Sequence, residues 1–195
     1  MLTDRPPRQP ALLAAFLESE RLSVLEVPPD GRLRSAATRL DSALKVGTCR
    51  LVRQAGAEFL AVAADFYGIR RPEIRVLRAR PIRVREGGWA AELFGDYSPP
   101  TMLIRVWMRT AVRKQVTSWG TFLNTLCHEL CHHLDYHGFG FQDSWHTRGF
   151  YERVATLYHH ARGTPVKELF WAQLPDERWR IDWCRTNRPK SHHVL

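Results

Sequence analysis

A chain of 195 residues, 44% hydrophobic and 25% charged, has room for one domain with its own core but not for two full domains. No run approaches the roughly 20 apolar residues of a membrane span, so the composition is that of a globular protein with no membrane partner. Lys and Arg number 29 against 20 Asp and Glu, and the surplus of +9 suits a polyanion, DNA above all, or an Arg-rich solvated surface.

Residues 1–10 are polar and hold three prolines, which predicts a loose segment. A helix is expected from Pro10 to Arg21. Its apolar run, Ala11–Leu17, meets Glu18, Glu20 and Arg21 with no small-residue cleavage site, so it reads as an amphipathic helix and not as a signal peptide. "VPPDGR" breaks the chain. From Ser35 to Tyr67, apolar residues recur at three- and four-residue steps (Leu40, Leu44, Leu51, Ala55, Phe59, Val62, Phe66), and Gly68 is a natural stop.

The period then changes. "EIRVLRARPIRVRE" alternates apolar residues with Arg, which predicts extended chain whose Arg face is solvated or contacts phosphates; Pro81 marks an edge or break. A turn at Gly87–Gly88, a strand in "WAAELFGDY" and another in "TMLIRVWMR" complete a small, mainly antiparallel sheet. Helical period returns in "VTSWGTFLNTLCHELCHHLDY", and a Gly-rich loop leads to a last long helix over Thr147–Ala161. The tail is basic and without a clear period. Its Trp179 and Trp183, among several Arg, suit either single-stranded nucleic acid or packing on the domain. Cysteines 49, 127, 131 and 184 show no disulfide framework and suit a reducing, cytoplasmic location; Cys127 and Cys131 read as small core residues.

Five of the nine histidines fall between Leu126 and Val154. His128-Glu129-Leu130-Cys131-His132 matches H-E-x-x-H. On a helix, residues four apart share a face, so both imidazoles can hold one Zn²⁺ at about 2.0–2.1 Å. Glu129, rotated about 100° from His128, is free to take the proton of an attacking water and pass it to the leaving amine. A catalytic zinc takes three protein ligands, and the third is sought downstream. His146, just before the last helix, is the first choice. Glu152 is the thermolysin-like alternative; His137 and Asp143 also lie within reach along the chain.

The order "LFGDYSPPTMLIRVW", "TLCHELCHHLD", "HTRGFYERV" resembles the SprT-like (Spartan-related) family of zinc metallopeptidases. The resemblance covers about Trp89–Leu157. It implies an α+β zincin-like fold in which a strand precedes the active-site helix and a third histidine opens the next helix. On this chain His128 and His132 would be metal ligands with Glu129 catalytic, His146 the third ligand, and Phe150 in the family's aromatic position. The family's glycine after the third histidine is Thr147 here. The C-terminal zinc ribbon of many members is missing, since the tail holds only Cys184.

The expected organisation is a single domain. Residues 1–88 supply N-terminal helices and a first strand, 89–162 the metallopeptidase core with its returning helix, and 163–195 a basic extension. The expected function is zinc-dependent hydrolysis of peptide bonds, with one Zn²⁺ per chain and a protein or peptide substrate; the family implies DNA-associated proteins. The rivals are a catalytically idle, zinc-stabilised nucleic-acid-binding module and a metal hydrolase of another bond. Glu129 argues against the former, because a structural site needs no carboxylate there and is usually closed by four ligands.

Overall fold

The computed structural model describes residues 1–84, 90–141 and 143–188. The expected Gly87–Gly88 turn and the last residues of the basic tail lie outside them. Helix α1 spans Pro10–Arg21, with Pro at its first position, where no backbone donor is needed. The expected helix over 35–67 is two helices, α2 (Arg32–Val46) and α3 (Cys49–Tyr67). Gly47 divides them at φ 76°, in the left-handed region that a side chain disfavours. Each buries a stripe at helical spacing: Leu33, Ala36, Ala37, Leu40 and Leu44 on α2; Val52, Ala55, Phe59, Leu60 and Ala63 on α3.

The sheet differs from the mainly antiparallel one expected. Strand β1 (Glu73–Ala79) runs parallel to β5 (Leu103–Arg109), with Ile74 opposite Ile104. Strand β4 (Gly95–Ser98) pairs antiparallel on the other side of β5, giving a mixed order β1-β5-β4. Two strands joined by a long excursion can run parallel, and alternation alone does not reveal direction. Pro81 ends the Arg-rich strand, and β2 (Ile82–Val84) pairs with β3 (Ala90–Glu92) in a separate ribbon. The single strand expected in "WAAELFGDY" is thus split at Leu93–Phe94. Arg75 and Arg78 are exposed on β1, whereas Arg80 turns inward, pairs with Glu92 at 2.9 Å and covers the Phe94 ring.

Helix α4 (Trp119–His137) starts at Ser118, whose side chain accepts from the Thr121 amide. Its buried face, Phe122, Leu123, Leu126, Cys127, Leu130, Cys131 and Leu134, enters the main core beside Ile104, Val106 and Met108. Fully burying leucines such as Leu126 and Leu130 contributes about 1.5–3 kcal/mol each. Helix α5 (Arg148–Arg162) is capped by Thr147 and closed by Gly163. The tail folds into a hairpin of β6 (Trp171–Gln173) and β7 (Trp179–Ile181), followed by the short α6 (Trp183–Thr186). Trp179 lies against Arg148, whereas Trp183 is exposed.

The first residues are not loose. Leu2 bridges Arg180, the Thr3 amide donates to the Trp179 carbonyl at 2.9 Å, and the Trp179 amide donates to Thr3 Oγ1 at 2.8 Å. Low hydropathy and prolines conceal this order, which comes from backbone pairing with a distant hairpin. No helix among the described residues is long and apolar enough to cross a membrane.

Candidate metal centre

His128 and His132 stand one turn apart on α4, and the Thr147 cap places His146 immediately before α5. The helices pack so that His128 Nε2 lies 3.1 Å from His146 Nε2 and 3.2 Å from His132 Nε2. These three are the group of possible metal ligands found among the described residues. Phe150, fully buried one turn into α5, lies under all three rings, its centroid 5.0 Å from His128, 4.6 Å from His132 and 5.2 Å from His146.

The outward ring nitrogens have partners that fix their protons. Ser144 Oγ gives its hydrogen to Asp135 Oδ2 at 2.7 Å, so it accepts from His132 Nδ1, also at 2.7 Å. Asp135 in turn accepts from Arg153 at 2.8 Å, and both side chains are essentially inaccessible to water. Arg153 also donates to the carbonyls of Ser19 (3.1 Å) and Leu22, the open C-terminal end of α1. Burial raises the Asp135 carboxyl, opposed by Arg153 and the Ser144 hydrogen bond. On the other arm, Asp4 Oδ2 accepts from the His146 amide at 2.9 Å and from His146 Nδ1 at 3.2 Å. Burial alone would raise Asp4, but those bonds and Arg178 outweigh it and hold the carboxyl below its ordinary range.

With Nδ1 protonated on His132 and His146, their neutral rings turn bare Nε2 lone pairs toward each other and toward His128. One proton on His128 Nε2 can satisfy only one of them. A cation satisfies all three, so the donor set fits a metal of the imidazole-binding type. Burial, with His146 nearby, lowers His128 to about 3; burial, with both other histidines, lowers His132 well below its usual value. Both rings are thereby kept in the neutral form that a ligand needs.

Glu129 faces the other way round α4, against the edge strand. A Cβ placed on Gly95 would stand 2.9 Å from Glu129 Oε1 and 2.7 Å from Thr125 Cγ2, so the missing side chain lets β4 close on the carboxylate. Burial, assisted by the charge of Asp96, raises the Glu129 carboxyl to about 8. Two depressions meet at this point. One, of about 740 Å³, runs along the N-terminal half of α4 past Leu93–Gly95, Tyr158 and Arg162. The other, of about 340 Å³, passes Asp96, Tyr97, Tyr136 and Ser144. His128 and Glu129 line both.

The remaining sequence candidates lie elsewhere. Glu152 accepts from Trp171 Nε1 at 3.4 Å; His137 Nε2 lies 3.2 Å from the Tyr97 hydroxyl. Asp143 accepts from the Ser144 amide at 2.8 Å and the Tyr136 hydroxyl at 3.3 Å. His133, which the sequence did not single out, is buried between Tyr97 and the Arg70 carbonyl. Cys127 and Cys131 are buried in the core. Asp4, Ser144, Asp135, Arg153 and Gly95 were not legible as site residues, and only the i, i+3 placement of Asp135 after His132 offered any signal. No family model, curated protein or solved structure matches the chain.

Proposed function

We propose that the chain is a zinc-dependent peptidase of the SprT-like type. The observation that carries this reading is the convergence of the His128, His132 and His146 Nε2 atoms beside a buried Glu129, at the junction of two clefts. His128, His132 and His146 would hold the ion through those atoms. Zn²⁺, when bound, polarises the scissile carbonyl and lowers the pKa of the attacking water.

The chain's own residues do the rest. Among the described residues strand β4 pairs with β5 alone, and its other edge would take an extended peptide by main-chain hydrogen bonding. A substrate lying in both clefts sets one peptide bond at His128 and Glu129, with residues accommodated on either side. Glu129 takes the water's proton and returns it to the leaving amine. Positive charge at the three nitrogens opposes the burial that raises its carboxyl, which draws Glu129 toward the range of a working base. The substrate class is protein, with DNA-associated protein favoured by the family resemblance and by the +9 surplus.

Glu129→Gln tests the roles separately. Zinc-loaded wild type should carry about one zinc per chain by elemental analysis and cleave an unfolded protein such as casein. The variant should retain its zinc and lose activity by a factor of at least about 10². Wild type that takes up no zinc, or a variant as active as wild type, sinks the reading.

A further inference from the structure

We infer that Asp4 is a positioning residue of the metal centre, and that the N-terminal segment is the means by which His146 is set. This rests on the proposed metal site, but its central observation does not need the metal. His146 belongs to no regular element, since it lies one residue before the α5 cap. Its backbone is held by two bonds to a single distant residue: its carbonyl accepts from the Asp4 amide, and its amide donates to the Asp4 carboxylate, each at 2.9 Å. The same carboxylate oxygen reaches the ring at Nδ1. One residue therefore fixes the position of His146, the direction of its ring and the nitrogen that carries the proton, which leaves Nε2 bare toward His128.

Asp4 is itself held from the opposite side. Ile181 donates to the Met1 carbonyl, Thr3 exchanges two bonds with Trp179, and the Tyr151 hydroxyl donates to the Leu2 carbonyl at 3.0 Å. Thr3 is buried, and Arg5 pairs with Asp176 at 2.9 Å in the turn of the hairpin. The segment is thus an extended stretch clamped between β7 and the start of α5, with Asp4 facing the histidine. A segment kept only for stability would not need to present a carboxylate to both the amide and Nδ1 of one histidine.

The experiment uses the full chain as wild type, Asp4→Ala, Asp4→Asn and Thr3→Val, the last removing the Trp179 acceptor from the same segment without touching His146. In metal-free wild type, ring ¹⁵N NMR should show His146 protonated at Nδ1; Asp4→Ala should lose that preference, and Asp4→Asn, whose amide oxygen still accepts, should keep much of it. Against a chromophoric chelator, Asp4→Ala should weaken zinc binding roughly 10- to 100-fold, with Asp4→Asn intermediate. Thr3→Val removes one bond of the clamp but keeps the Asp4 carboxylate and the Thr3 amide bond to Trp179, so it should lower the melting temperature and weaken zinc binding by less than Asp4→Ala does. The inference is overturned if metal-free wild type carries the His146 proton on Nε2, if Asp4→Ala keeps wild-type affinity, or if Thr3→Val costs as much affinity as Asp4→Ala. Wild type that binds no zinc yet shows the Nδ1 proton would remove the metal reading and leave Asp4 as the residue that sets the ring.

Discussion

His132 and His146 each have a carboxylate behind the ring, but the two carboxylates sit in different surroundings. Asp135 reaches His132 through Ser144, is balanced by Arg153, and is sealed from water with it. Asp4 reaches His146 directly, with its side chain still 42% exposed. The inner arm is made within α4, α5 and their loop, and α1 closes it through the carbonyls around Arg153. The outer arm depends on an extended segment from the far end of the sequence. In the dry arm a broken link leaves a charge or donor that water cannot reach; in the wet arm solvent replaces part of what is lost. The two arms should therefore fail differently.

Arg153→Leu should have the largest effect. It strands the Asp135 charge and the Ser19 and Leu22 carbonyls, and should cost about 3–5 kcal/mol of folding stability in urea denaturation. A loss below about 1 kcal/mol would mean that water enters the inner arm and that the contrast between the arms is false. Ser144→Ala keeps that ion pair but removes the acceptor from His132 Nδ1. Zinc affinity should fall by about 10- to 100-fold, and by more than in Asp4→Ala, because the donor left behind is less accessible to water. Competition titration of both variants decides the order. Glu152→Ala should do least: its carboxylate accepts from Trp171 and is not among the three converging ligands, so zinc affinity should hold and stability should change by within about 0.5 kcal/mol. A marked loss of zinc there would restore Glu152 as a ligand candidate.

What the sequence made legible follows from the range of each signal. Helices α4 and α5 write their buried faces into three- and four-residue spacings, and H-E-x-x-H is a statement about one turn of helix. These are local, so His128, His132, the Gly68 stop and the Thr147–Ala161 helix could be read directly. His146 could be ranked first from its place before the last helix, with the resemblance in support, but Glu152, His137 and Asp143 stayed open because the approach to His128 depends on how two helices pack. The parallel pairing of β1 with β5 joins residues about thirty positions apart, and alternation carries no direction. Asp4 lies 142 positions from His146, in a stretch whose composition resembles an unstructured end. The Gly47 break was visible as a letter but lay inside a pattern that continues in phase on both sides.

Gly95 carries no chemistry, yet the distance between the edge strand and the Glu129 carboxylate is set by what it lacks. A saturation scan read out only by activity would therefore score it beside the histidines and the glutamate, as an intolerant position in a cluster of intolerant positions. The same scan read out by zinc content should separate them, since the first carbon of a side chain at Gly95 pushes on Glu129 and Thr125. Comparing the two maps would divide the residues proposed to hold the ion from those proposed to set the spacing around the base, a division that no single measure of fitness can draw.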